Sequence, residues 1–169
     1  IAVIIGLFFT SILIGIITTG IETKLQTLRN GNAEVLENDH TVILGWNDTT
    51  FAILAEIMES NLNRKMRTVV VLDDACEKAE MDDQVRTFIA EKDKERERIA
   101  KKKHEVFIPY AKHTQILCRY GTTAHYSNLE NCNIQNCKSI IVNEDDDDET
   151  IKVILACSGI INDLRMSGV

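Results

Sequence analysis

The sequence predicts an α/β domain built on a parallel sheet with flanking helices, preceded by one transmembrane helix. Two patterns support this prediction. The first twenty residues contain no charged side chain, and the remainder alternates short β-branched runs with longer stretches of helical periodicity. Strands that alternate with helices are typical of parallel sheets covered on both faces. With 169 residues, the chain is long enough for one such domain and a short appendage.

Residues 1–20 form the predicted transmembrane helix, because about twenty apolar residues cross a hydrocarbon core of roughly 30 Å. The alternatives are a signal peptide, which needs a basic start and a cleavage site, and a buried helix of a soluble protein. Five cysteines without a C-x-x-C motif indicate reduced thiols. We therefore expect an integral membrane protein whose C-terminal domain lies in the cytosol.

Residues 21–39 are predicted to form a linker helix that continues from the membrane span. Its apolar residues Ile21, Leu25 and Leu28 recur at helical spacing, and Asn30-Gly31 is a turn signal that interrupts the pattern. A linker of this length can transmit force between the span and the domain that follows.

The domain is predicted to occupy residues 40–169 and to be incomplete at its C-terminus. Asn47 or Asp48 offers an N-cap for its first helix. Lys92–Lys103, the charged half of a longer helix, is predicted to be solvated and laced with i,i+4 pairs. Right-handed crossovers then give a Rossmann-like half with its ligand crevice at the carboxyl ends of the strands. The predicted elements are the strand Thr41–Trp46, a helix through Phe51 and Leu62, the strand Thr68–Leu72, a helix from about Glu77 to Lys103, the strand Thr114–Cys118, a short helix anchored by Leu129 and Ile134, the strand Ser139–Val142 and a helix from Thr150 to Leu164.

The first strand–turn–helix is where a dinucleotide fingerprint would sit. Only its first glycine, Gly45, is present, while Asn47 and Thr50 crowd the path of a pyrophosphate and Asp48 adds negative charge. These residues argue against NAD or another nucleotide in the usual pose. An acid after the second strand could contact a ribose, although a helix N-cap before Cys76-Glu77 is the alternative. The candidate cofactor-binding residues are therefore Gly45, Asn47, Asp48, Asp73 and Asp74.

An acidic run follows the fourth strand, at the rim where this architecture binds ligands. Hard cations take several carboxylate oxygens, so Ca²⁺ suits such a run. The alternative is a solvated loop and an acidic first helical turn, which the helix dipole favours. The candidate metal-binding residues are Glu144, Asp145, Asp146, Asp147 and Asp148, with Glu149 completing the run.

Several functional classes are disfavoured. The net charge of −7 argues against a nucleic-acid partner, since phosphate binding needs clustered Lys and Arg. No histidine pair has H-E-x-x-H spacing, no serine lies in G-x-S-x-G, and His125 with Cys132 and Cys137 matches no standard zinc site. We predict that the chain is not an enzyme.

The segment from Leu28 to Trp46 is the most specific part of the sequence. It contains Leu28-Arg29-Asn30-Gly31, then Glu34-Val35, Glu37, His40-Thr41 and the strand ending in Gly45-Trp46. With the preceding apolar span, this order resembles the Castor/Pollux cation channels of plants and their bacterial relatives. The later Cys118–Gly121 and Ser139–Val142 are similar in kind, and the rest is generic to RCK-type (regulator of K⁺ conductance), or TrkA-N-like, domains.

The resemblance implies a ligand-regulated cation channel that conducts potassium and assembles as a homotetramer. Residues 1–20 would be the inner pore helix, and an RCK N-lobe ring would pull on it when Ca²⁺ binds. The implied gating-linker residues are Gly20, Leu25, Leu28 and Gly31. The charged helix Lys92–Lys103 and the acidic run Glu144–Glu149 depart from the family pattern and leave the ligand open. The alternatives are a non-conducting regulatory subunit of a potassium transporter and a membrane-anchored NAD-binding oxidoreductase.

Overall fold

A computed structural model of the chain describes residues 11–18, 21 and 34–167. Residues 11–18 are helical, and their large apolar side chains are exposed. Among the described residues, no helix combines the length and the apolar character needed to cross a membrane. The rest of the predicted span and most of the predicted linker, with Gly20, Leu25, Leu28 and Gly31, lie outside the described residues.

The remainder is an α/β unit, as predicted. Its long helices alternate with its strands, and short 3₁₀ helices at Tyr110–Lys112 and Ile134–Asn136 complete the connections. In chain order the main elements are β1 Thr41–Leu44, α1 Asp48–Asn61, β2 Arg67–Asp73, α2 Lys78–Lys103, β3 Thr114–Tyr120, α3 Tyr126–Asn131, β4 Ser139–Val142 and α4 Asp147–Ser167.

The four strands form one parallel sheet in the order β3-β2-β1-β4. In register, Val42 lies opposite Val70 on one side and Ile140 on the other. All strands therefore begin at one edge of the sheet, called here the amino edge, and end at the opposite carboxyl edge. The doubly covered parallel arrangement explains why the strands read as continuous apolar runs.

Successive strand residues point to opposite faces of the sheet and build two hydrophobic clusters. One face, with Val42, packs against α3 and α4, and the other, with Ile43, packs against α1 and α2. Each fully buried Val, Leu or Ile contributes about 1.5–3 kcal/mol, so these clusters hold the sheet together. Cys118 and Cys157 lie within these clusters as small core residues.

Some element boundaries differ from the sequence prediction for identifiable reasons. β1 ends at Leu44 because Gly45 has a left-handed φ of 115°. The predicted short helix is broken into α3 and a 3₁₀ turn, since Asn133 between them adopts a φ of 52°. α4 begins at Asp147 rather than Thr150, so part of the acidic run forms its first turn.

Candidate functional site

Gly45 lies where β1 turns into α1, at the carboxyl edge. A Cβ atom added there would stand 2.2 Å from the carbonyl oxygen of Asn143 and 2.6 Å from its carbonyl carbon. The glycine therefore admits the backbone that leaves β4. In a dinucleotide site the corresponding glycines admit a pyrophosphate instead.

Asn47 closes the start of α1. Its side-chain oxygen accepts hydrogen bonds from the backbone amides of Thr49 and Thr50. The backbone amide of Asn47 in turn donates to the Thr50 hydroxyl over 3.0 Å. Its Nδ2 also donates to the Asn143 carbonyl over 2.9 Å and to Asp145 over 2.8 Å. Amides that could bind a phosphate at a free helix N-terminus are thus engaged by the chain itself. This is a physical reason for the prediction against nucleotide binding, which stays a prediction.

A cleft of about 230 Å³ opens beside this network, at the carboxyl ends of β2, β3 and β4. Four carboxylates line it, two at the carboxyl end of β2 and two from the acidic run, together with threonines that follow β3 and one lysine. The lining residues are Asp73, Asp74, Thr122, Thr123, Ala124, Glu144, Glu149, Lys152 and Val153.

Asp73 is buried and organises the loop that leaves β2. One carboxylate oxygen accepts a hydrogen bond from the Trp46 amide over 2.8 Å, and the other accepts from the Ala75 amide. The interpretation of Asp73 or Asp74 as a helix N-cap is wrong. α2 begins after Glu77, whose side chain makes no capping bond.

The electrostatics of the cleft disfavour the ionised carboxylates. Burial raises the pKa of Asp73, against the lowering effect of the two amide bonds, and the neighbouring Asp74 raises it further. Burial also raises the pKa of Glu144. The hydrogen bond from the Thr123 hydroxyl lowers this pKa, and the charges of Asp73 and Glu149 raise it. A cation in the cleft would relieve this repulsion, whereas an anion would add to it.

The acidic run is divided between several roles. Glu144 reaches the cleft and accepts a hydrogen bond from the Thr123 hydroxyl. Asp145 binds Asn47, and the Asp146 carboxylate accepts from the Glu149 amide over 3.3 Å at the start of α4. Asp147 and Asp148 are exposed. In the part of the chain that the structure describes, no group of three or more His, Cys, Asp or Glu side chains is placed to hold a metal ion. Calcium binding stays a prediction.

Thr122, Thr123 and Lys152 belong to the cleft and were not predicted from the sequence, whereas Glu149 was named there only as the end of the acidic run. The Thr122 hydroxyl donates to Asp74 over 2.8 Å, which ties the loop after β3 to the loop after β2. A signal was present, because a parallel sheet brings the residues after every strand to one edge. The candidate residues predicted from the sequence follow or end β1, β2 and β4, and none follows β3.

Two other candidate groups play no part in this site. Burial raises the pKa of the Cys118 and Cys132 thiols to about 12, so neither supplies a thiolate near neutral pH. His125 is exposed and its Nδ1 lies 2.9 Å from the Ser127 hydroxyl.

The short helix α3 joins the cleft to the point where the chain enters the domain. It starts directly after the cleft residues Thr123 and Ala124 and ends at Asn131, whose carbonyl accepts a hydrogen bond from the Val35 amide over 2.8 Å. His40 is fixed beside it, with Nε2 at 2.9 Å from the Cys132 carbonyl oxygen. α3 therefore connects the cleft wall to the segment that precedes β1.

Comparison with known proteins places these features in a context. No protein-family model matches the chain. It is 29% identical over 168 residues to the probable ion channel CASTOR of Oryza sativa subsp. japonica, a match that covers 95% of this chain and 16% of that protein. It is 26% identical over 166 residues to the ion channel CASTOR of Lotus japonicus, covering 95% of this chain and 17% of that one. It is 28% identical over 161 residues to the probable ion channel POLLUX of Arabidopsis thaliana, and this match covers 92% of this chain and 17% of that protein.

These matches confirm the resemblance to the Castor/Pollux ion channels. The chain spans about one sixth of the length of these curated relatives. The relatives are named as ion channels, which are not enzymes, in agreement with the prediction that this chain is not an enzyme.

Proposed function

We propose that this chain, as a relative of the Castor and Pollux ion channels, is the junction between a pore helix and the regulatory domain of a ligand-gated cation channel. The observation that supports this most directly is the extent of the similarity. It covers 95% of the chain, and so includes both the apolar N-terminal segment and the α/β domain. Potassium conduction, a homotetrameric assembly and a cytosolic location of the domain are parts of the proposal.

The regulatory ligand in this proposal is a divalent cation, and its site is the cleft at the carboxyl edge. Asp73 and Asp74 approach from the end of β2, and Glu144 and Glu149 approach from the other wall. Carboxylates are the ligands that Ca²⁺ prefers. Burial is the main cause of the raised pKa of both Asp73 and Glu144, and repulsion from neighbouring carboxylates, which a cation would relieve, adds to it. No three acidic side chains of the described residues stand close enough together to hold a metal ion in this structure, so binding would have to draw the two walls of the cleft together.

Coupling to the pore would follow the path through α3. Closure of the cleft moves Thr123, and α3 transmits that movement to Asn131, which holds Val35 by a backbone hydrogen bond. The segment before Val35 leads to the predicted span. A ligand shifts such an equilibrium only by its difference in affinity for the two states, so the cleft must differ in width between the closed and open channel.

The test is a chimera in which this chain replaces the matched segment of the Lotus japonicus CASTOR channel. Potassium flux from liposomes is measured with and without Ca²⁺. We expect flux that depends on Ca²⁺ and a dose–response that moves to higher Ca²⁺ in the double variant Asp74→Asn/Glu149→Gln. Asp83→Asn, at an exposed aspartate of α2 outside the cleft, is the matched control. Flux that ignores Ca²⁺ would refute the ligand assignment, and absence of flux would refute the channel assignment.

A further inference from the structure

Helix α2 is longer than the sheet on which it packs. Its 26 residues span about 39 Å, whereas the seven-residue strands β2 and β3 span about 23 Å. The helix starts close to the carboxyl edge and runs back along β3, which it contacts. Asp93 marks the level of the amino edge, because its carboxylate accepts a hydrogen bond from the Tyr110 amide, just before β3. The helical residues after Asp93 therefore extend about 15 Å beyond the sheet.

The projecting part, residues 94–109, is called here the basic prong. It is held firmly at its base, where the Arg96 guanidinium lies 5.1 Å from the centre of the Tyr110 ring and the Tyr110 hydroxyl donates to Glu59 over 2.7 Å. At its tip, His104 takes a left-handed φ of 55° and reverses the chain, and the Glu105 amide donates to the Ala100 carbonyl. The prong is thus a hairpin made of the end of α2 and a returning non-helical segment.

The tip combines positive charge with exposed apolar groups. Lys101, Lys102 and Lys103 form the last turn of α2, Val106 is 87% exposed and Ile99 is 44% exposed. Lys101 pairs with Glu97 over 2.8 Å, while no ion pair within the described residues involves Lys102 or Lys103. The helix dipole also stabilises lysines at a helix C-terminus. The dipole accounts for the lysines, but it does not account for the projection or for the exposed valine.

The charge of the whole domain is distributed between its two edges. The carboxyl edge holds the acidic run and the acids that follow β2, and the chain as a whole is acidic with a net charge of −7. At the amino edge, three basic side chains line a hollow of about 130 Å³ together with Asp39. Basic residues precede or begin three of the four strands at this edge, namely Arg64, Lys65, Arg67, Lys112 and Lys138.

The amino edge is also where the chain enters the domain, at residues 34–40 before β1. Residues 21–33 separate it from the predicted span, a distance of about 20 Å for a helix and at most about 45 Å for an extended chain. If the proposed function holds, the amino edge faces the membrane and the prong is the part of the domain nearest to the bilayer. We propose that the basic prong docks on anionic lipid headgroups of the bilayer that anchors the same chain, with Val106 and Ile99 entering the interface.

The physical basis is the attraction of a negatively charged leaflet for basic groups, which is worth about fivefold in binding per Lys or Arg within a Debye length of the surface. Exposed apolar side chains among lysines are typical of segments that lie at the membrane interface. Docking would fix the height of the domain above the bilayer. It would make the position of the regulatory unit depend on lipid composition.

The experiment uses the whole chain reconstituted into nanodiscs of pure phosphatidylcholine or of phosphatidylcholine with about one third phosphatidylserine. Hydrogen–deuterium exchange is followed in the peptide that covers residues 99–107. We expect exchange to slow about tenfold in the anionic discs only, and the slowing to disappear in 0.5 M KCl. Lys102→Glu should abolish it, while Arg86→Glu, the same charge reversal at another exposed position of α2, should retain it.

Equal exchange rates of this peptide in the two kinds of disc would overturn the proposal. So would an equal loss of the slowing in the Lys102→Glu and Arg86→Glu variants. Slowing that appears without lipid and grows with protein concentration would overturn it as well, because it would identify a second copy as the partner. Alkaline carbonate extraction from the phosphatidylcholine discs tests the anchor separately. If the chain is extracted there but binds phosphatidylserine vesicles through the prong, the channel proposal fails and the lipid-binding surface stands.

Discussion

The substitution Gly45→Ala tests whether the β1–α1 turn is built for contact with the chain itself. The added Cβ would lie 2.2 Å from the Asn143 oxygen and 2.6 Å from its carbonyl carbon, and both are backbone atoms that no side-chain rotation can move away. An alanine at a φ of 115° is strained by about 1–3 kcal/mol, and overpacking adds about 1–3 kcal/mol. We expect a loss of about 2–6 kcal/mol from a total stability of about 5–15 kcal/mol.

The assay is urea unfolding of the chain in detergent, followed by far-UV circular dichroism and by the fluorescence of Trp46, the chain's one tryptophan. Gly159→Ala is the matched control. Gly159 lies in α4 with nothing within 4 Å of an added Cβ, so alanine should stabilise the helix by up to about 1 kcal/mol. A Gly45→Ala variant within about 1 kcal/mol of the parent chain would show that the loop after β4 yields easily, and the reasoning would be refuted.

Three further predictions concern the cap, the cleft and the linker. Asn47→Ala should lower the free energy of unfolding, measured in urea, by about 2 kcal/mol, because it removes a helix cap and the hydrogen bond to Asn143. Asn47→Asp keeps the cap and should lower that free energy by less. Equal losses of stability in the two variants would contradict this prediction. Because burial raises the folded-state pKa of Glu144, its contribution to stability is fully present below its ordinary value of 4.5 and is lost as pH rises through the folded value. Glu144→Gln should therefore raise the free energy of unfolding at pH 7.5 and leave it unchanged near pH 3.5, and a gain that does not vary with pH would disprove the burial argument. In the CASTOR chimera, flexible Gly/Ser residues inserted next to Gly31 should leave conduction intact and remove Ca²⁺ sensitivity, and normal Ca²⁺ sensitivity would exclude the linker as the coupling path.

The fold was largely predictable because the strands are short apolar runs between turn signals. The run Ser139–Val142 matches β4 at both ends, and Asn47 is the N-cap that its side-chain chemistry predicts. The boundary at Leu44 was not predictable, since apolar character continues into Trp46 and only the positive φ of Gly45 ends the strand. Asn133, which divides the short helix, likewise has an unusual backbone conformation that composition does not reveal.

The candidate site was less accessible to sequence reasoning. A continuous run of acids suggested one cation site, but the side chains point in different directions because the run crosses from a loop into a helix. Only Glu144 and Glu149 line the cleft, and their partners Asp73 and Asp74 come from another strand. The prong was hidden for a related reason. Its projection depends on the length of α2 relative to the strands, which no local pattern records.

The position of β1 inside the sheet has a consequence for synthesis of the protein. β1 pairs with β2 on one side, and its other side stays unpaired until β4 has been synthesised. Thr41 and its partner Ser139 are 98 residues apart. At a translation rate of about 5–20 residues per second, that edge stays open for roughly 5–20 s. An open strand edge can pair with another chain. Nascent copies on one polysome therefore face a kinetic competition between native closure and strand exchange, and slower translation of residues 73–139 would lengthen it.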